Sequence, residues 1–170
     1  ACTGMQHVGL DEENCTVSLA KEGVMLDLGS IGKGYALEQA AALLKENEFE
    51  NFLIHGGTSS VYAHGKQSDG TPWRIAVKHP DDSQPPLQII DLQDESLSVS
   101  GIGGKSFVDE DGHDQGHVIN PRTGRPTQAA RVAAVICESA TESDAWATAL
   151  LVDPTLTPPS HIRVCDQIDS

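Results

Sequence analysis

Asp144 and Thr148 stand four residues apart in the stretch Glu-Ser-Asp-Ala-Trp-Ala-Thr-Ala-Leu, residues 142–150. The stretch reads as helix, and positions i and i+4 share one helical face. A carboxylate and a hydroxyl therefore point the same way from one rigid element. Two hard oxygen donors on one face suit Mg2+ or Ca2+ rather than zinc. The same residues also fit the polar first turn of an amphipathic helix, with Asp144 near the positive end of the dipole.

A second group lies at the strand-to-helix junction Leu26-Asp-Leu-Gly-Ser-Ile-Gly-Lys-Gly-Tyr35. Its glycines let a ligand approach the backbone closely. The helix that follows offers free N–H groups to a phosphate, and Lys33 adds a full positive charge. The spacing matches neither the Walker nor the dinucleotide fingerprint, so a Gly-rich turn that binds nothing is the competing reading. A third group, His117-Val-Ile-Asn-Pro-Arg-Thr-Gly124, sets an imidazole, an amide and a guanidinium around a tight turn. His117 can exchange a proton near neutrality. Arg122 can take a phosphate in bidentate fashion. A hairpin with a hydrogen-bonded His and a solvated Arg explains the same residues.

Two further loops, His55-Gly-Gly-Thr-Ser-Ser60 and Ser98-Val-Ser-Gly-Ile-Gly-Gly104, combine hydroxyls with backbone N–H groups, as anion nests do and as plain turns also do. The acidic run Asp109-Glu-Asp-Gly-His-Asp114 brings calcium to mind. Its glycine falls too early for an EF-hand loop, which favours a solvated hairpin tip.

The elements that must position these groups follow from periodicity. Thr16–Ala20 and Val24–Leu28 read as a hairpin around Lys-Glu-Gly. Tyr35–Glu48 carries an apolar stripe at 36, 37, 40, 41, 43 and 44, which predicts a helix. Strands are expected at Asn51–Ile54, Ser59–Ala63, Trp73–Val77, Leu87–Leu92 and Leu97–Ser100. Ser106–Val108 and His117–Ile119 should flank the acidic turn. Ala130–Cys137 reads as a buried strand, and Thr141–Val152 as the second main helix, with Ser139 and Glu142 spaced as a capping box. The tail, Ser160–Ser170, shows one short apolar patch. Strands, a helix, many strands and a helix predict an α+β fold with two main helices and a mostly antiparallel or mixed sheet.

A length of 170 residues predicts one domain, residues 1–170. Hydrophobic content of 38% and charged content of 21% suit a soluble globule, and aromatics at 4% leave the core to aliphatic side chains and Ala. The net charge of −14 argues against nucleic acid or an anionic membrane surface as partner. No apolar run reaches the length of a membrane span. Cys2, Cys15, Cys137 and Cys165 form no Cys-x-x-Cys motif, and Cys137 reads as a core thiol.

Taken together and in order, these segments resemble the ApbE-type flavin transferases. Leu26-Asp-Leu-Gly-Ser-Ile-Gly-Lys-Gly-Tyr-Ala36, His117-Val-Ile-Asn-Pro-Arg-Thr-Gly-Arg-Pro126 and Ser143-Asp-Ala-Trp-Ala-Thr-Ala-Leu150 are similar to that family's main signatures. Asn51–Gly57 and Ser98–Gly101 match its weaker Gly-Gly and Ser-Gly blocks. The resemblance implies binding of FAD and a divalent metal, usually Mg2+. It implies transfer of FMN from FAD to a Ser or Thr hydroxyl of an acceptor protein, with AMP released. FAD hydrolysis, nucleotide binding without turnover, or a degenerate fragment that keeps the fold without the ligand are the alternatives.

Carried over residue by residue, the resemblance implies a metal between Asp144, Thr148 and the backbone carbonyl of Gly32, a position that is Ala in the family pattern. Gly32, Lys33 and Gly34 would cradle phosphate, and Asp27 would organise the junction. His117 would move the proton or position the diphosphate, and Arg122 would meet phosphate. Gly56, Gly57, Ser100 and Gly101 would line the nucleotide cleft. Asn120, Thr58-Ser59 and Ile102 stand where the family often has acids, which leaves fewer carboxylates near the metal. The resemblance covers about the C-terminal half of such enzymes, without the N-terminal portion that helps wall the flavin. It also implies export or membrane anchoring, and the acceptor protein stays unidentified.

Overall fold

The computed structural model describes residues 2–81, 83–102, 106–108, 112 and 114–169, without the side chains of 106, 107, 114 and 166–169. A 3-10 turn, Met5–His7, leads into β1 (Val8–Asp11) and β2 (Thr16–Leu19). Helix α1 (Gly32–Glu46) precedes β3 (Phe52–His55), β4 (Ser60–His64), β5 (Trp73–Val77), β6 (Gln88–Leu92) and β7 (Glu95–Gly101). Short strands follow: β8 (Ser106–Val108), β9 (Asp114–Gly116), β10 (Ile119–Asn120) and β11 (Arg125–Pro126). The chain continues through β12 (Ala130–Cys137), α2 (Ala140–Val152) and β13 (Arg163–Asp169).

The central sheet has the order β13-β12-β7-β4-β3. Every neighbouring pair in it is antiparallel. Four two-stranded ribbons accompany it. This is the α+β architecture that the order of elements predicted.

Side chains alternate across a strand, so one sheet builds two cores. Val61 and Ala63 of β4, Leu97 of β7, and Ala134 and Ile136 of β12 face the β5–β6 ribbon and pack with Val77, Ile90 and Leu92. The intervening residues face the helices. Ala133, Val135 and Cys137 pack against Ala147, Leu150 and Leu151 of α2, while Tyr62 packs with Leu37 and Ala41 of α1. Strand β12 is covered on both faces, which explains its unbroken apolar run. The tight approach of the helices rests on Gly34, where a Cβ would lie 2.1 Å from the Ala140 carbonyl oxygen.

Three expectations need correction. Thr16–Leu19 pairs with Val8–Asp11, and Val24–Leu28 forms no strand. The turn sits at Asp11–Asn14, where the Asp11 carboxylate accepts from the Asn14 N–H at 3.0 Å and from its amide at 2.9 Å. That local bonding fixes the register Val8↔Leu19. The return strand after the acidic turn is Asp114–Gly116, so His117 falls between strands, and Ile119-Asn120 pairs with Arg125-Pro126 instead. The tail supplies β13, an edge strand along β12. Gly103, Gly104 and most of the acidic run, residues 109–111 and 113, lie outside the described residues.

Candidate functional site

Helix α2 starts cleanly because Ser139 caps it, its hydroxyl accepting from the Glu142 N–H at 3.1 Å. The Glu142 carboxylate pairs with His161 at 3.1 Å. The i, i+4 spacing then lays Asp144 and Thr148 along the inner side of α2. Asp144 is only 2% exposed. A buried carboxylate needs partners, and this one has three. The Gly34 N–H donates to Oδ2 at 3.0 Å, the Lys33 Nζ lies 3.1 Å from Oδ1, and the Ser60 hydroxyl donates to Oδ1 at 3.5 Å. One turn along α2, the Thr148 hydroxyl meets the Ser100 hydroxyl at 3.2 Å.

The first turn of α1 comes to Asp144 through the glycine junction. The Asp27 carboxylate accepts from the Gly29 N–H at 2.7 Å, which turns the chain ahead of the helix. The Gly32 N–H donates to the Leu28 carbonyl at 2.7 Å. A Cβ at Gly32 would meet nothing within 4 Å, so Ala would fit there equally well. Gly34 is a different case: a Cβ there would lie 2.8 Å from the Asp144 Cβ as well as striking Ala140. The first glycine leaves open space beside its backbone, and the second lets two helices touch.

The sheet supplies the floor. Ser96, Ser98 and Ser100 alternate along β7 and all face α2. Ser96 and Ser98 reach the Ser143 hydroxyl at 2.9 and 3.0 Å, and Ser143 donates to the Ala140 carbonyl at 3.0 Å. Ser60 of β4 stands beside Ser98 in register. The sequence reading named Ser100 but missed Ser60, Ser96 and Ser98 as partners of α2. Period-two serines on a strand ordinarily mark a solvent face. The signal that could have found them is the matching run Ser143-Asp144 with Thr148 on a helix that is otherwise apolar beyond its first turn.

The other named residues sit around this cluster. The Gly56 N–H donates to the Ser60 carbonyl at 3.0 Å, and Gly57 takes a φ of 76°, so the two glycines close the turn that delivers Ser60. Gly101 pairs with Val132 at the end of β7. His117 is exposed, and the adjacent Val118 packs on the Ala147–Leu150–Leu151 core. Arg122 is 75% exposed and pairs with Asp153 at 2.8 Å, at the C-terminal end of α2. Asp153, the C-cap, is nine positions beyond Asp144, about 13 Å along the axis. The structure therefore joins Lys33, Gly34, Ser60, Ser100, Asp144 and Thr148, and holds Arg122 at the far end of the same helix.

The donor set fits a hard divalent cation. The Ser100 and Thr148 hydroxyls meet one turn along α2 from the Asp144 carboxylate, and the Lys33 ammonium marks a place where positive charge is required. Lys33 is 42% exposed, so it can yield that place to a cation and turn to water. No cluster of three or more His, Cys, Asp or Glu side chains forms among the described residues, and the set here holds one carboxylate. No helix of the described residues is long and apolar enough to cross a membrane.

A sequence model described as the ApbE family matches residues 1–162. The chain belongs to the ApbE family. An Escherichia coli K12 protein named FAD:protein FMN transferase is 33% identical over 156 residues, covering 89% of this chain and 44% of that one. A Vibrio cholerae protein of the same name is 32% identical over 154 residues, covering 89% and 45%. The ApbE protein of Thermotoga maritima superposes with a TM-score of 0.77 at 32% identity, covering 88% of this chain and 47% of that chain. The apo flavinyl transferase ApbE of Pseudomonas stutzeri gives 0.75 at 31% identity, with 89% and 46% covered. The chain thus spans less than half the length of the ApbE relatives it matches. The ApbE fold and the α+β expectation agree.

Proposed function

We propose that this chain carries the metal and diphosphate site of an FAD:protein FMN transferase. The observation that carries the reading is the buried Asp144 carboxylate, held against the N-terminal turn of α1 with Thr148 one turn away and Lys33 at 3.1 Å. The names of the relatives support FAD as substrate and a protein as acceptor. Mg2+ dependence, a Ser or Thr acceptor and AMP release are the finer parts of the proposal.

Asp144, Thr148 and the Gly32 carbonyl would hold Mg2+, which when bound supplies Lewis-acid neutralisation of the diphosphate. The chain's own residues do the rest. The Gly32 and Gly34 N–H groups are taken by the Leu28 carbonyl and by Asp144, so the start of α1 would favour the phosphate charge through the positive end of its helix dipole. Lys33, once released from Asp144, adds a mobile ammonium to the same oxygens. Ser100 and Gly101 on one side, and Gly56 and Gly57 on the other, line the nucleotide. The acceptor hydroxyl attacks the phosphorus of the FMN half, and a new P–O ester bond forms. The bond from that phosphorus to the bridging oxygen breaks, and AMP leaves with that oxygen. His117 takes the hydroxyl proton as general base.

Incubation with FAD, Mg2+ and a Ser/Thr acceptor protein tests this. A fluorescent flavinylated band with an equal yield of AMP is expected, and both vanish in Asp144→Ala. FAD binding with no AMP released identifies a binding module, and AMP with no band identifies a hydrolase that uses water as acceptor. No FAD binding at all, with or without Mg2+, overturns the reading.

A further inference from the structure

Glu38 lies one turn beyond Gly34 on α1, on the side that meets α2. A single oxygen of its carboxylate, Oε2, accepts three hydrogen bonds: from the Ser139 hydroxyl at 2.9 Å, the Thr141 N–H at 3.0 Å and the Thr141 hydroxyl at 2.7 Å. The Thr141 N–H belongs to the first turn of α2, where backbone donors lack intrahelical partners. Ser139 is the N-cap itself. A side chain of one helix thus caps the start of the other, and it does so with a full negative charge at the positive end of α2.

The two helices are joined at two adjacent levels. At the first, Gly34 touches Ala140 so closely that no Cβ is admitted. At the second, Glu38 grips residues 139 and 141. A close contact fixes the distance between two helices but leaves one free to roll on the other. A capping carboxylate gripping both sides of residue 140 fixes the roll. Asp144 is one turn further along α2 from Ala140 and Thr148 one more, so their directions follow from that rotation.

We propose that Glu38 is the positioning residue of the site: from α1 it sets the rotation of α2 that brings Asp144 to Gly34 and Lys33, and Thr148 to Ser100. The three hydrogen bonds of its carboxylate go to none of those five residues. The consequence for metal affinity rests on the reading of the site given above, whereas the consequence for the Asp144–Gly34 bond does not.

Amide hydrogen exchange of the full chain reads that bond directly, because the Gly34 N–H donates to Asp144 Oδ2. In Glu38→Ala, exchange at Gly34 is expected to rise about tenfold or more, the size of losing hydrogen bonds to a charged acceptor. Exchange at Val135 and Ile136 of β12 should stay as in the wild type. Glu38→Gln keeps an acceptor oxygen and should restore most of the protection at Gly34. Mn2+ binding followed by electron paramagnetic resonance should weaken about tenfold in Glu38→Ala and recover in Glu38→Gln, in parallel with the Gly34 exchange.

Unchanged protection at Gly34 in Glu38→Ala overturns the proposal. So does an equal rise at Gly34 and Val135, which would make Glu38 a general stability element, and so does full Mn2+ affinity alongside lost Gly34 protection. Wild-type protein that binds no Mn2+ while Gly34 responds as expected sinks the metal reading and upholds the positioning one.

Discussion

The Lys33 ammonium lies 3.1 Å from the Asp144 carboxylate, with the lysine 42% exposed and the aspartate 2% exposed. The asymmetry matters more than the distance. Asp144 cannot reach water, so its charge must be met from within the protein. Lys33 can reach water, so it can leave where another cation takes its place. A buried anion held by a displaceable cation is an arrangement that exchanges one positive group for another.

Asp144→Ala is therefore expected to destabilise the fold by about 1–3 kcal/mol, the cost of stranding the buried Gly34 N–H. The larger penalty of an orphaned buried charge does not apply, since Lys33 turns to solvent. Urea unfolding measures the loss. A loss well above this range would mean that Lys33 stays trapped without its partner.

The two glycines at the start of α1 should respond in opposite ways to alanine. Gly34→Ala drives a methyl into the Ala140 carbonyl and should cost about 1–3 kcal/mol or more through forced helix separation. Gly32→Ala meets open space and should be neutral or stabilising by up to about 1 kcal/mol, as Ala is the better helix former. Thermal melts of the two variants decide between them, and similar melting temperatures would contradict the packing described.

Ser143→Ala should cost about 1–3 kcal/mol, because the buried Ser96 and Ser98 hydroxyls lose a shared partner. Ser96 keeps the Val61 carbonyl at 3.0 Å, so Ser98 bears most of the loss. The double variant Ser143→Ala with Ser98→Ala should recover part of it in a double-mutant cycle.

Acid stability carries a signature of Glu38. Burial pushes its carboxyl up, but the hydrogen bonds from the Thr141 N–H, the Thr141 hydroxyl and the Ser139 hydroxyl outweigh burial and hold it below its ordinary value of 4.5. A carboxyl depressed on folding stabilises the fold in full above the unfolded value, and that stability drains away as pH falls through the folded one. The stability gap between wild type and Glu38→Gln should accordingly be widest above pH 4.5 and shrink below it. Denaturant midpoints across pH 3 to 7 measure the gap (about the range over which a carboxyl titrates), and a gap that grows on acidification would reverse the assignment.

Thiol chemistry should separate the cysteines. Burial, with repulsion from Glu142 added, pushes the Cys137 thiol up to about 11. The thiolate is the reactive form, so Cys137 should resist alkylation near pH 8 in the native protein, at roughly the ordinary thiol value. Cys2 and Cys15 are exposed and should react at once. Mass spectrometry of iodoacetamide-treated native protein gives the site pattern.

The elements that the sequence determined alone are those whose signal is local. Strand Ala130–Cys137 declares itself by an unbroken apolar run, and Trp73–Val77 by β-branched and aromatic residues. Helix α2 is marked by its Ser139 cap, and the spacing of Asp144 and Thr148 needs nothing beyond helical geometry. The ordered signature blocks were enough to point to the ApbE family. Pairing was not local. Val24–Leu28 looks as strand-like as Val8–Asp11, and the Asp11–Asn14 side-chain bonding chose between them.

Only the tertiary structure decided what faces what. Ser98 and Ser100 stand in a Ser-Gly block that fits a plain turn, yet with Ser96 they meet α2, because that helix turns Ser143 and Thr148 toward them. Nothing along the chain joins Glu38 to Thr141 or Lys33 to Asp144, which stand 111 residues apart in the latter pair. Spacing along one element dictates which side chains share a face, whereas the partner of that face is set by how separate elements fill space together.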